Sequence, residues 1–298
     1  MIESNLAEPQ KFNRSVSLLE WGLNEELLLI GFLDKAFGML EAAVTDYEVV
    51  FVNDGSTDQT AEILTAYQAR EPRLKIVNNP ENVNVGISCR RAVQAASKEY
   101  LFWQTVDWSY DLTELRIYIE LLNDFDVVQG IRPVPERLLS YVPVLRSIYR
   151  VQRRSDSITK AVISLSNYYV LRILFGVHFH DFQNVTFYPT RLAQSLPLQA
   201  TTPFVNPEML IRAYYGGARI IEVPINFIPR TQGEAKGTRL PILVRTVLDI
   251  LRNWVSWGWR LRLSQHGSSR GSISRVARPL RLPESVARTV VPLFKKFH

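Results

Sequence analysis

Apolar residues recur along this chain in two rhythms, short β-branched and aromatic runs and longer stretches of helical period. As far as residue 130 the two alternate. Ser15 to Leu19 is a short apolar run, and Asn24 to Ala43 carries a long helical pattern. Tyr47 to Val52 (YEVVFV) reads as a strand closing in the turn cluster Asn53-Asp54-Gly55-Ser56. Thr57 or Asp58 is then placed to cap a helix over Gln59 to Arg70. Leu74–Val77, Tyr100–Gln104 and Asp126–Gln129 read as further strands, with helices over Ile87–Ala96 and Leu112–Leu122 between them. Strands separated by helical patterns of about 10–15 residues imply βαβ units, so the expected class is α/β with a mainly parallel sheet sandwiched by helices.

After Gly130 the rhythm changes. Arg132 to Arg172 is helix-leaning and rich in Arg, a run suited to lipid phosphate or simply a solvated face. A second strand group follows at Val177–His180, Val185–Tyr188 and Ala218–Phe227. Leu240 to Leu261 is helical. Arg245, Asp249, Arg252, Asn253, Ser256 and Arg260 recur on one side, and Leu243, Val244, Val247, Leu248, Leu251, Trp254 and Val255 on the other. Trp254, Trp257 and Trp259 stand beside Arg252, Arg260 and Arg262, a pattern that suits a helix lying in a lipid interface as well as one packed on a protein body. The expected organisation is an α/β body over 1–236, an amphipathic helix over 237–263 and a basic tail over 264–298.

Composition narrows the class. The chain has 298 residues, 46% hydrophobic and 21% charged, which excludes disordered, collagen-like and disulfide-stapled proteins. Its one cysteine, Cys89, sits in a helical pattern and reads as a small buried residue. Met1 to Gln10 holds no apolar run, so no secretory signal is expected. The longest uncharged apolar stretch, Ala161 to Leu171, is far short of the roughly 20 residues a spanning helix needs. The net charge of +6 lies in the tail: Arg270, Arg275, Arg278, Arg281, Arg288, Lys295 and Lys296 oppose Glu284 alone. A neutral body with a basic appendage points to an anionic membrane surface and not to nucleic acid.

In an open parallel sheet, ligands bind beyond the carboxyl ends of the strands. Two polar clusters lie at such ends: Asn53 to Asp58, and Thr105-Val106-Asp107. The first offers amide, carboxylate and hydroxyl groups for a base and ribose, beside a glycine that lets backbone approach a ligand. In the second, Asp107 is suited to a divalent cation bridging a diphosphate. His178 and His180 would share one strand face, but no third and fourth ligand is placed, so structural imidazoles are expected.

The order of segments resembles the family-2 glycosyltransferases of the GT-A fold, and within them the dolichyl- and polyprenyl-phosphate sugar transferases. Asn24-Glu25-Glu26 matches the family's Asn-Glu-Glu at the end of its first strand, and Asn53 to Asp58 matches its NDGS-Thr-Asp motif. Thr105-Val106-Asp107 aligns with the metal motif Asp-x-Asp, and Gly130-Ile131-Arg132 with Gly-x-Arg. Asp181 before a strand, Glu208, the run Gly217 to Pro224, and Arg230, Gly233 and Lys236 complete the series. The family's Pro and Tyr before Asn-Glu are absent, and Trp21 offers a stacking face in that place.

The resemblance implies an inverting transferase that moves a hexose from a nucleotide-diphosphate sugar to a polyprenyl phosphate, peripheral on the cytoplasmic face of a membrane. It implies donor contacts from Trp21, Asn24, Glu25, Asn53, Asp54, Gly55, Ser56, Thr105 and Lys236. Asp107 would hold Mg2+ or Mn2+, while Arg132 and Arg230 would approach from the acceptor side. Because Thr105 replaces the first Asp, coordination would rest on Asp107, phosphates and water. A glycan hydroxyl acceptor would instead need a base, for which Asp181 is the candidate. A catalytically silent nucleotide-sugar-binding subunit is the further alternative.

Overall fold

The computed structural model describes residues 11–132, 168–228 and 240–267. Elements in chain order are β1 (Phe12–Gly22), α1 (Glu26–Ala43), β2 (Val44–Asn53), α2 (Thr60–Arg70), β3 (Leu74–Asn78), α3 (Val85–Ala95) and β4 (Tyr100–Trp103). Then come α4 (Leu115–Glu120, tightening to a 3-10 turn), β5 (Val127–Ile131), α5 (168–175), β6 (Thr186–Pro189) and α6 (Thr190–Ser195). The last are α7 (Val205–Tyr215), β7 (Ile220–Pro224), α8 (Leu240–Asn253), a π-helical turn Trp254–Gly258 and α9 (Trp259–Gly267).

The strands form one sheet in the order β3-β2-β1-β4-β6-β5-β7. Every pairing is parallel except those of β6, which runs against both β4 and β5. Leu18, Leu19, Val49 to Val52, Leu101 and Phe102 are fully buried, as expected for parallel strands covered by helices on both faces. Successive strands leave β1 first toward β2 and β3 and then toward β4. The carboxyl ends of β1 and β4 therefore flank a topological switch point, where loops diverge and a crevice opens.

Val177 to His180, expected as a strand, is irregular. Its two histidines accordingly do not act as a pair. His180 Nδ1 meets Glu222, whereas His178 Nδ1 lies 3.1 Å from the Arg172 guanidinium.

The helix that begins at Leu240 turns Asp249 and Asn253 inward together with Ile250, while Arg245 and Arg252 stay exposed. Asp249, Asn253 and Trp257 are buried, while Val244, Val247, Leu248, Leu251 and Val255 face out. Asp249 Oδ2 accepts hydrogen bonds from the Thr201 N–H at 2.8 Å, the Thr202 N–H at 3.1 Å and the Thr202 hydroxyl at 2.8 Å. Asn253 donates to Asp249 and accepts from the Trp257 indole at 2.8 Å, and the Arg212 guanidinium covers that ring at 3.9 Å. Trp257 thus belongs to the protein interior and not to an interface belt, because its N–H has a buried partner. Among the described residues no helix is long and apolar enough to cross a membrane.

Candidate active site

A cavity of about 560 Å³ opens at the switch point. That size lies within the range of roughly 300–1,000 Å³ usual for small-ligand sites. Its wall is assembled from the end of β1 and the following loop (Glu20 to Glu25), Asp54 after β2, Asn82 and Asn84 before α3, and Trp103 to Asp107 at the end of β4. Thr201 to Asn206 at the start of α7, and Ile242 and Arg245 of α8, complete it. Asp54 and Asp107, from loops far apart in sequence, therefore share one crevice.

The loops after β1 and β2 are laced together. The Asn24 N–H donates to Ser56 Oγ at 2.9 Å, and Asn24 Oδ1 accepts from the Thr57 N–H at 2.8 Å. The Glu26 N–H donates to Asp58 at 3.2 Å, and Glu26 in turn accepts from the Gln59 N–H at 2.9 Å, so each helix start is capped from the other loop. Burial opposes the Asp58 charge, but hydrogen bonds from the Thr60 hydroxyl and from the Thr60 and Glu26 N–H groups outweigh it and hold its carboxyl below the usual range. Gly55 adopts φ +73°, and a Cβ there would lie 2.4 Å from the carbonyl carbon of Glu81. Asn53, Gly55 and Ser56 consequently shape the loop and do not line the cavity, which Asp54, Asn24, Glu25 and Trp21 do. Asp54 Oδ1 itself accepts from Asn79 Nδ2 at 2.8 Å and the Val83 N–H at 3.0 Å, which ties the wall to the loop before α3.

Asp107 sits in a tight turn after β4. The Trp108 N–H returns to the Thr105 carbonyl at 2.8 Å, and Trp108 takes φ +57°, a rare conformation for a bulky residue. The Trp108 ring is held by Phe32, 6.0 Å away edge-on, and by the Lys35 ammonium at 4.3 Å. Asp107 Oδ1 accepts from the Ser109 hydroxyl at 2.6 Å, and Thr105 Oγ1 accepts from the Ser109 N–H at 3.0 Å. Thr105 therefore braces the turn that presents Asp107.

Glu20, a residue the motif pattern does not single out, is 7% exposed in the same wall. Burial first, and then the nearby charges of Glu25 and Asp107, push its carboxyl well above the usual range. A carboxylate closing an otherwise apolar buried strand was the available signal in the sequence. Folding then binds a proton on Glu20 that the unfolded chain releases near pH 4.3, so its contribution to stability falls as pH rises above about that value. We expect the melting temperature of Glu20→Gln to gain on the wild type between pH 4 and pH 8, by about 2–4 °C per kcal/mol. A pH-independent difference in thermal unfolding without divalent cations would contradict a neutral Glu20.

Glu20, Glu25, Asp54 and Asp107 all line the cavity with one guanidinium, Arg245. Hard carboxylate oxygens of this kind fit a divalent cation that shares its shell with phosphate and water. Among the described residues no group of three or more His, Cys, Asp or Glu side chains forms a ready-made cage. A divalent cation in this wall would have to complete its shell with phosphate and water.

Two other expected residues meet elsewhere. Arg132 Nε and Nη2 donate to the two oxygens of Asp181 at 2.6 Å each, a bidentate pair with Asp181 3% exposed. The Gln183 N–H adds a third hydrogen bond to Asp181 at 3.0 Å. Neither residue lines the cavity, and a carboxylate engaged on both oxygens is poorly placed to take a proton from a substrate. Arg230 and Lys236 lie outside the described residues.

The profile described as Glycosyl transferase family 2 matches residues 23–175, about half of the chain. Glycosyltransferase AglD of Haloferax volcanii is 25% identical over 224 residues, which are 72% of this chain and 32% of that protein. The chain thus spans about a third of AglD's length. An undecaprenyl-phosphate mannosyltransferase of Micrococcus luteus is 25% identical over 77% of this chain and 90% of its own. Mannosyl-3-phosphoglycerate synthase from Rubrobacter xylanophilus superposes with a TM-score of 0.58 over 91% of this chain and 79% of its own, at 14% identity, which shows a common fold. With its motifs in order, a GT-A sheet and that profile match, the chain belongs to glycosyltransferase family 2.

Proposed function

We propose that the chain transfers a hexose, with inversion, from a nucleoside diphosphate sugar to the phosphate of a polyprenyl lipid, working as a peripheral protein on the cytoplasmic face of a membrane. The observation that carries this reading is the position of the apolar surface relative to the cavity. Ile242 and Arg245 of α8 and Leu27 of α1 belong to the cavity wall. The same two helices expose Leu27 (90%), Ile30, Val244, Val247, Leu248 (61%) and Leu251, and the π-helical turn after α8 adds Val255 (69%). An apolar face of this extent, carrying Arg245, Arg252 and Arg260 on its helix, suits the boundary between acyl chains and anionic headgroups. A lipid whose phosphate lies at that boundary enters the cavity past Leu27 and Arg245 without leaving the membrane.

The chemistry agrees. A phosphate acceptor is already anionic near neutral pH, so no general base is required, and Asp181 can remain on Arg132. A divalent cation at Asp107, when bound, supplies positive charge to the leaving diphosphate. Asp107 orients that charge, Thr105 and Ser109 hold the turn, and Arg245 guides the acceptor phosphate. Arg230 and Lys236 are expected to add positive charge on the acceptor side. The name of the Micrococcus relative, an undecaprenyl-phosphate mannosyltransferase, supports the acceptor class.

The test uses anionic vesicles containing undecaprenyl phosphate, with GDP-mannose or UDP-glucose and Mn2+. Sugar should appear in the organic phase as an acid-labile lipid phosphodiester. Transfer only to soluble acceptors, with none to the lipid, would refute the proposal.

A further inference from the structure

Asp107 is presented by a loop whose base and tip are held in different ways. At the base, the fully buried Gln104 side chain donates to the Tyr110 carbonyl at 2.7 Å and accepts from the Tyr110 N–H at 3.2 Å. The far side of the loop pairs with the segment after β7. There the Asp111 N–H donates to the Asn226 carbonyl at 3.0 Å, and the Ile228 N–H to the Ser109 carbonyl at 2.8 Å. The tip, Thr105 to Ser109, turns back on itself and reaches α1 through the Trp108 ring.

Trp108 holds φ +57°, a conformation in which the Cβ of a bulky residue crowds its own backbone. Such a conformation persists only where surrounding contacts offset the crowding. The hydrogen bond from the Trp108 N–H to the Thr105 carbonyl is one such contact, and the packing of the ring on α1 supplies the others. The buried Phe32 meets the indole edge-on at 6.0 Å, and the Lys35 ammonium stands 4.3 Å from the ring centre. Phe32 and Lys35, three residues apart, share one face of the helix. An ammonium within about 6 Å of an indole centre is attracted by the ring, most strongly where water has been displaced. Burial lowers the Lys35 pKa from its ordinary value and the charge of Asp111 opposes that shift, so the ammonium is partly desolvated where it meets the ring. The contact therefore acts on the same energy scale as the backbone crowding it opposes.

We infer that Lys35 is a positioning residue: by clamping the Trp108 indole on α1, it holds the Thr105–Ser109 turn in the conformation that presents Asp107 to the cavity. This rests on the role proposed above for Asp107. It adds a residue that lies outside the cavity wall and outside the motifs that identify the family in this sequence. Charge and position predict opposite signs here. Removing an ammonium near the site would, by charge alone, tighten the binding of a cation, whereas releasing the turn weakens it.

The experiment compares the full chain with Lys35→Gln, Lys35→Arg, Trp108→Gly and the double variant Lys35→Gln with Trp108→Gly. Backbone hydrogen exchange over 105–109 is followed by mass spectrometry without metal or nucleotide. Mn2+ affinity is then measured by electron paramagnetic resonance with UDP or GDP present. In Lys35→Gln the turn should exchange faster and Mn2+ should bind more weakly, each by about 3- to 10-fold, with little change in melting temperature. Arginine, which also binds aromatic faces, should restore both. Glycine at 108 accepts positive φ freely and removes the ring, so on that background Lys35→Gln should add nothing. If Trp108→Gly does not fold, the two single substitutions at Lys35 decide alone. Wild-type exchange in Lys35→Gln, unchanged or tighter Mn2+ binding, or a full further effect on the Trp108→Gly background would overturn the inference while leaving the proposed function standing. A wild-type chain that binds Mn2+ with neither diphosphate would overturn both.

Discussion

Asp107→Asn should lower the rate of sugar transfer by about 10²–10³-fold, with little change in melting temperature, because under the proposed function it removes the carboxylate that holds a cation on the diphosphate and not a buried contact. Asp107 is partly exposed, and the hydrogen bond it accepts from Ser109 is one that an asparagine oxygen can still accept. The Thr105–Trp108 turn should persist, so the loss is expected in kcat and in Mn2+ affinity. Mn2+ affinity can be followed by the electron paramagnetic resonance signal of free Mn2+ with nucleoside diphosphate present. Because Thr105 leaves the motif with one carboxylate, the effect of losing Asp107 should not be shared with a second ligand on the same turn. Undiminished turnover and undiminished Mn2+ binding in Asp107→Asn would place the diphosphate elsewhere.

The second large effect concerns the outer face of α8. The triple variant Leu248→Glu, Leu251→Glu and Val255→Glu should lose flotation with anionic vesicles almost completely. Burying each of these side chains in the bilayer contributes roughly 1.5–3 kcal/mol, so removing all three abolishes a marginal attachment even before the new negative charges are counted. These side chains point away from the body, whereas the contacts that hold the helix, Asp249 to Thr201 and Thr202 and Asn253 to Trp257, are untouched. Nucleotide affinity and thermal stability should therefore be preserved, while transfer to lipid-embedded acceptor falls with membrane binding. A variant that still floats would assign the exposed face another role.

Much of the catalytic frame is legible in the residues. The loop after β2 could be read because Asn, Asp, Gly and Ser cluster where a buried strand stops, and only a few backbone shapes accept that set. Gly55, with positive φ and no room for a Cβ, shows why a glycine is required there. Asn24, Ser56 and Asp58 were legible as polar loop residues, but their cross-capping of α1 and α2 was not, since it depends on two strands lying side by side. Glu20, Trp103 and Asn206 escaped notice for the same reason. In sequence they lie near the end of one strand, at the end of another and at a helix start, and only the convergence of β1, β4 and α7 puts them in one wall. The expected strand at Val177–His180 did not form; the His180 N–H there bonds to the Glu222 carboxylate in place of a neighbouring strand.

The sequence by itself determined the alternation of strands and helices, the chemistry of the loops at the strand ends and the two-faced character of the segment after Leu240. These follow from local periodicity and from the few residue types that tolerate tight turns. The tertiary structure alone decided which face of α8 turns inward. Periodicity defines a face without saying what opposes it, and here the loop at Thr201–Thr202 offers N–H groups that the Asp249 carboxylate satisfies. It also decided that Asp181 closes on Arg132 and that Glu222 closes on His180. Each of those pairings is fixed by atoms brought together across the fold, and no spacing along the chain encodes such an encounter.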